Sequence, residues 1–132
     1  MGKILSYKKL LVITLWLVAL HSIGVGIGMI LLPTNWISYF DITPSSHRFF
    51  ITQGGVFHLM MAVAYFIAAI NVKENLNLIV FSIFVKFSAT FFLIIYFIFI
   101  NHFGIVFLSG IGDFCMGLVL LVLYNNYKLE LT

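Results

Sequence analysis

Leu108-Ser-Gly-Ile-Gly-Asp-Phe-Cys-Met-Gly117 sets the carboxylate of Asp113 inside an apolar run that covers residues 105–124. About 20 residues at 1.5 Å rise cross the ~30 Å hydrocarbon layer, so a run of this length with one charge reads as a membrane span. A lone charge at that depth costs roughly 2.5–3.5 kcal/mol on insertion scales, and it has to face protein and find a partner. The preceding run, 76–100, carries a single basic residue, Lys86. The pattern predicts that Lys86 and Asp113 meet. Gly110, Asp113 and Gly117 recur at spacings of three and four, hence on one helix face. Small residues on either side of the carboxylate let a neighbouring helix come close to it.

Composition extends that reading to the whole chain. Hydrophobic residues make up 63% of the 132 and charged residues 8%, with a mean hydropathy of +1.17. Soluble domains carry about 25% charged residues, so a soluble fold is excluded. The net charge of +3 is scattered over span ends and loops, whereas nucleic-acid binding needs a clustered basic face. Cys115 is the one cysteine, so no internal disulfide can form. Lys3, Lys8 and Lys9 before an apolar stretch imitate a signal peptide, but the stretch runs from Leu10 to Leu32 without an A-x-A-like site. That is too long for a typical signal core, and an uncleaved first span is expected.

The length suits one domain, 1–132, with spans at about 9–32, 49–71, 76–100 and 105–124. The expected fold is all-α, an integral membrane bundle of four transmembrane helices. The first span stops at Pro33 and holds Gly24-x-x-x-Gly28, a spacing that permits close helix approach. In the connection that follows, Trp36, Tyr39 and Phe40 suit the headgroup level, with room for a short interfacial helix over 35–39. Pro44-Ser45-Ser46 reads as a helix start. In the second span Gly54 or Gly55, His58, Ala62, Tyr65 and Ala69 share a small, polar face, with Phe57, Met60, Phe66 and Ile67 opposite. Ser82, Lys86 and Thr90 form a polar stripe on the third. A short polar tail, 125–132, closes the chain. The tight turn at 71–75 and the one at 101–104 predict antiparallel packing of the helices that they join. Lys3, Lys8, Lys9, Lys73 and Lys128 fall on one side and Arg48 on the other. Both termini are therefore expected in the cytoplasm, with the protein multi-pass in an inner or plasma membrane.

Each span contributes one ionisable residue at a similar depth. Counted at 1.5 Å per residue, His21, His58, Lys86 and Asp113 lie roughly 12–17 Å from a span end. A belt of this kind has four readings, one of them proton relay in a transporter, for which 132 residues would require an oligomer or an inverted pair. In the ligand reading, Lys86, Asp113, His58, His21 and Tyr65 form a core site for a lipophilic molecule with a polar head, a quinone or a lipid, with Arg48 at its entrance and Tyr96 as a further hydroxyl. In the structural reading, Lys86 and Asp113 pin two helices together, while Ser82, Thr90 and the histidines fill the remaining hydrogen bonds. Haem or metal ligation by His21 and His58 is the third, although no H-x-x-x-H, E-x-x-H or C-x-x-C spacing accompanies it. No catalytic residue is assigned, and an enzyme with its own chemistry ranks behind binding and assembly. Aromatic surfaces on every span leave room for a homo-oligomer or a larger membrane complex.

The order Pro44, Arg48, Gly54-Gly55, Tyr65, Ala68-Ala69, Lys86 and Asp113-x-x-x-Gly117 resembles the four-span BphX-like group within the DoxX-like assemblage, over roughly residues 33–124. The chain departs from that pattern in Lys86, where arginine is usual, and in Gln53 before the glycines. A lysine lacks the two-pronged carboxylate contact of arginine. The resemblance implies a four-helix topology with Arg48, Lys86 and Asp113 as family-matching positions. For some relatives it also implies membership of quinone-using membrane redox systems.

Overall fold

Apolar side chains all round a helix leave it no aqueous face, and each of the four long runs closes its backbone hydrogen bonds internally, as a bilayer requires. The computed structural model describes residues 6–33, 36, 48–100 and 102–131. Among them are four long helices: α1 (Tyr7–Leu31), α2 (Arg48–Ile70), α3 (Leu76–Phe99) and α4 (Gly104–Glu130). All four are long and apolar enough to cross a membrane, and no strand occurs among the described residues. The protein is an all-α, multi-pass membrane protein. Tyr39, Phe40, all of 35–39 except Trp36, and the Pro44-Ser45-Ser46 helix start lie outside the described residues. Trp36 is exposed.

The largest shift from the expected boundaries is in α4, which continues to Glu130 where a polar tail was expected. Tyr127 is buried in the core, and Asn126 Nδ2 donates to the Val122 carbonyl. Burial of that one ring holds the last turns helical despite their polar sequence.

The helices alternate in direction and form two hairpins. The first joins α1 to α2, the second α3 to α4, and α1 packs on α4 to join them. Contact between α2 and α3 is the slightest of these, although a short turn links them. The turn itself is well tied. Asn75 Nδ2 donates to the Asn71 carbonyl at 2.9 Å and to the Ile67 carbonyl at 3.3 Å, so the residue that opens α3 also closes α2. Arg48 does the same service for α1. Its Nη2 donates to the carbonyls of Ile30 at 2.9 Å and Leu32 at 3.0 Å, placing a cation at a helix C-terminus where free carbonyls and the dipole favour it.

The first hairpin crosses at glycines, but not at those of the G-x-x-x-G motif. A Cβ on Gly26 would stand 2.8 Å from the Gly55 carbonyl oxygen, and one on Gly55 would stand 2.8 Å from that of Gly26. Gly24 has no neighbour within 4 Å, and Gly28 meets only Leu32 of its own chain end. The motif fails because its two glycines lie on the face turned away from α2. On the small, polar face of α2, Gly55, Ala62, Tyr65 and Ala69 are buried as their spacing predicts, while Phe57, Met60, Phe66 and Ile67 point outward.

Packing is lopsided along the bundle axis. Leu11, Leu15, Ala68, Val72, Ile79, Leu120 and Tyr127 build a dense core at the end that carries the 71–75 turn. On α3 the buried residues are Ile79, Ser82, Ile83 and Lys86, and they stop there. Towards the opposite end, α3 is held chiefly by α4. Phe97 lies against Phe107 with ring centroids 4.9 Å apart, and Ile94 packs over the bare backbone of Gly110.

Candidate functional site

The ion pair forms as the sequence predicts. Lys86 Nζ donates to Asp113 Oδ1 at 2.6 Å, and the two side chains are 4% and 11% exposed. Local packing fixes both. Gly117 lies against the Lys86 stem, where a Cβ would come 3.1 Å from that of Lys86. Phe87 and Phe114 close over the adjacent layer edge to face at 5.9 Å. Lys86 Nζ also sits 5.6 Å from the centroid of the Tyr65 ring, so the ammonium takes an aromatic face as a second partner. Tyr65 is 1% exposed. It acts in this site as a wall beneath the cation, supplied by α2.

The polar stripe of α3 does not complete the pair's hydrogen bonds. Ser82 Oγ donates to the Leu78 carbonyl and Thr90 Oγ1 to the Lys86 carbonyl. A hydroxyl four residues along a helix reaches the preceding turn's carbonyl without crossing to a neighbour, and in an apolar setting that satisfies it.

Directly beside the pair lies a cavity of about 300 Å³, lined by His21, Val25, Met29, His58, Leu93, Ile105, Val106, Ser109 and Asp113. All four helices contribute to it, and it occupies the half of the bundle away from the dense core. Of the six residues assigned from sequence, His21, His58 and Asp113 line it. Lys86 and Tyr65 stand behind Asp113 and are not part of the lining. Arg48 is engaged at the end of α1 rather than on the wall, because two carbonyls there claim its guanidinium. Tyr96 leans on Phe92 of its own helix, ring centroids 6.0 Å apart, and is likewise absent from the lining.

Asp113 therefore has two sides. Oδ1 takes the Lys86 proton, and the carboxylate also borders the hollow. The cavity sees this acceptor, two imidazoles and the Ser109 hydroxyl, set among aliphatic and thioether groups. Ser109 could have been read from its spacing, one turn before Asp113 on the same face. Met29, Leu93 and Ile105 carried no signal, since apolar residues in a span look alike whether they face lipid, protein or a cavity. Among the described residues no group of three His, Cys, Asp or Glu side chains gathers as a metal site.

A second hollow, also about 300 Å³, runs along the seam of α1 and α4 and is lined by Thr14, Leu17, Val18, His21, Cys115, Met116 and Val119. His21 borders both. No family model matches the chain, and neither do curated proteins nor solved structures.

Proposed function

We propose that this protein binds a lipophilic molecule with a small neutral polar head, of the quinone or quinol kind, in the cavity beside Asp113. The observation that carries the reading is the cavity itself, walled by all four helices with its polar groups gathered at the level of the ion pair. A volume of about 300 Å³ matches the lower end of small-ligand sites, which are mostly apolar with a few convergent polar groups. A bundle whose charged pair served packing alone has no need of a hollow against one of its charges. Voids cost stability in proportion to their volume, about 24 cal/mol per Å³ when dry.

The chemistry of the wall narrows the head group. The carboxylate of Asp113 repels an anionic head such as a fatty acid or phosphate, while Lys86 is spent on the far side. Carbonyls accept from imidazole N–H and the Ser109 hydroxyl; phenolic or alcoholic hydroxyls donate to Asp113. The resemblance to DoxX-like proteins favours the same class by analogy, and with it an accessory place in a membrane redox system. The end bearing Lys8, Lys9, Lys73 and Lys128 faces the cytoplasm on this reading, and the cavity lies in the outer half of an inner or plasma membrane.

The test is mass spectrometry of an organic extract of the protein purified in mild detergent, beside a Ser109→Phe variant that fills the cavity without touching the ion pair. One neutral amphiphile held in stoichiometric amount by the native chain and absent from the variant is the expected result. Bulk phospholipid alone in both extracts would turn the assignment to a subunit whose polar belt specifies packing.

A further inference from the structure

The two hollows meet at one side chain and lie end to end. On α1, Thr14, Val18, His21, Val25 and Met29 recur at spacings of three and four, so both are walled by one continuous stripe. On α4, Ser109, Asp113, Met116 and Val119 do the same in the opposite direction. Together they follow the α1–α4 seam from Thr14 to Met29, about 22 Å at 1.5 Å per residue. That spans most of the ~30 Å apolar layer. Their chemistry differs along the way. The cavity beside Asp113 also has His58 and Ser109; the second hollow, beyond His21, offers Leu17, Val18, Met116 and Val119.

We infer that the ligand carries a single apolar tail, and that this tail passes His21 and lies in the α1–α4 hollow while the head stays beside Asp113. The inference rests on the proposed head-group site and goes further, because it fixes the shape of the ligand and its exit from the bundle. Leu17, Cys115 and Val119 are exposed on the outer surface of this seam, so a tail seated there is in contact with lipid along its length. The ligand enters sideways from the bilayer, and His21, set at the junction, is the group it must pass.

Two probes separate head from tail: a dimethoxy-methyl-benzoquinone without a side chain, and the same ring with a decyl chain. Binding of each is measured on the full chain in one detergent, for the native protein, for Val119→Trp, and for native protein alkylated at Cys115 with N-ethylmaleimide after folding. Partition of the decyl probe into micelles is common to all samples and cancels in the comparison. Both blocked forms should bind the decyl probe at least about tenfold more weakly than native protein, a step of 1.4 kcal/mol, and the bare ring equally well. Alkylation acts on already folded protein, so it decides the matter even where Val119→Trp fails to fold. If both probes bind and neither block weakens the decyl one, the tail lies elsewhere and the head-group site stands. If neither probe binds native protein, or Ser109→Phe binds both unchanged, the head-group reading itself falls, and this inference with it.

Discussion

At the scale of the residue, the energetic question is what Lys86 and Asp113 cost and return. Burying either alone leaves an uncompensated charge, and breaking such a pair is destabilising by about 3–5 kcal/mol. Asp113→Asn and Lys86→Met should each destabilise the protein by that order, read as a lowered melting temperature in detergent. The double variant should recover much of the loss, because it strands no charge. A double-mutant cycle with coupling well above ~0.5 kcal/mol is the expected result; additive losses would show that the contact contributes nothing of its own. The Tyr65 ring adds a smaller increment, about 0.5–2 kcal/mol for a cation over an aromatic face. Tyr65→Leu should therefore destabilise less than either charge change, and its effect should shrink once Lys86 is already Met. Ser82→Ala, which removes a hydroxyl bonded only to its own helix, should be close to neutral in the same assay.

At the scale of the element, the α1–α2 crossing gives the clearest contrast. Gly26→Ala drives a Cβ into the Gly55 carbonyl, and overpacking of this kind costs about 1–3 kcal/mol. Gly24→Ala meets nothing and should be neutral or mildly stabilising, since alanine is the better helix former by about 1 kcal/mol. Thermal unfolding followed by circular dichroism separates the two. The same pair shows where sequence reasoning reached its limit. Helix number, span positions and the ion pair were legible because length, hydropathy and an isolated charge each have one cheap solution in a bilayer. Glycine spacing has many, so Gly24 and Gly28 looked as good as Gly26 and Gly55. The polar stripe on α3 was placed on the correct face and given the wrong partners, since spacing locates a hydroxyl but does not say that its own helix will claim it. The cavity was half legible. His21, His58 and Asp113 announced themselves as polar groups at one depth, whereas its apolar walls had no mark to set them apart from lipid-facing positions.

At the scale of the whole molecule, the dense core sits at one end and the hollow at the other, which sets a gradient of local stability along every helix. Hydrogen exchange should be slowest around Leu15, Tyr65, Ile79 and Leu120 and faster towards Met29, Leu93 and Ile105, because opening free energy follows buried contact. A uniform profile would argue that lipid, rather than packing, protects these amides. The bundle's sidedness can be read with a single new thiol: in a Cys115→Ser background, Lys73→Cys should react with an impermeant maleimide from the cytoplasmic face alone. One consequence of the ion pair concerns biogenesis rather than binding. Lys86 and Asp113 belong to the same hairpin, 27 positions apart, so each finds its counter-charge within a single inserting unit. The α3–α4 hairpin can leave the insertion machinery already electrically neutral, without waiting for α1 or α2. The burial of charge in building this protein is thereby confined to two consecutive helices, and the ligand chamber is completed afterwards, when the α1–α2 hairpin closes over it.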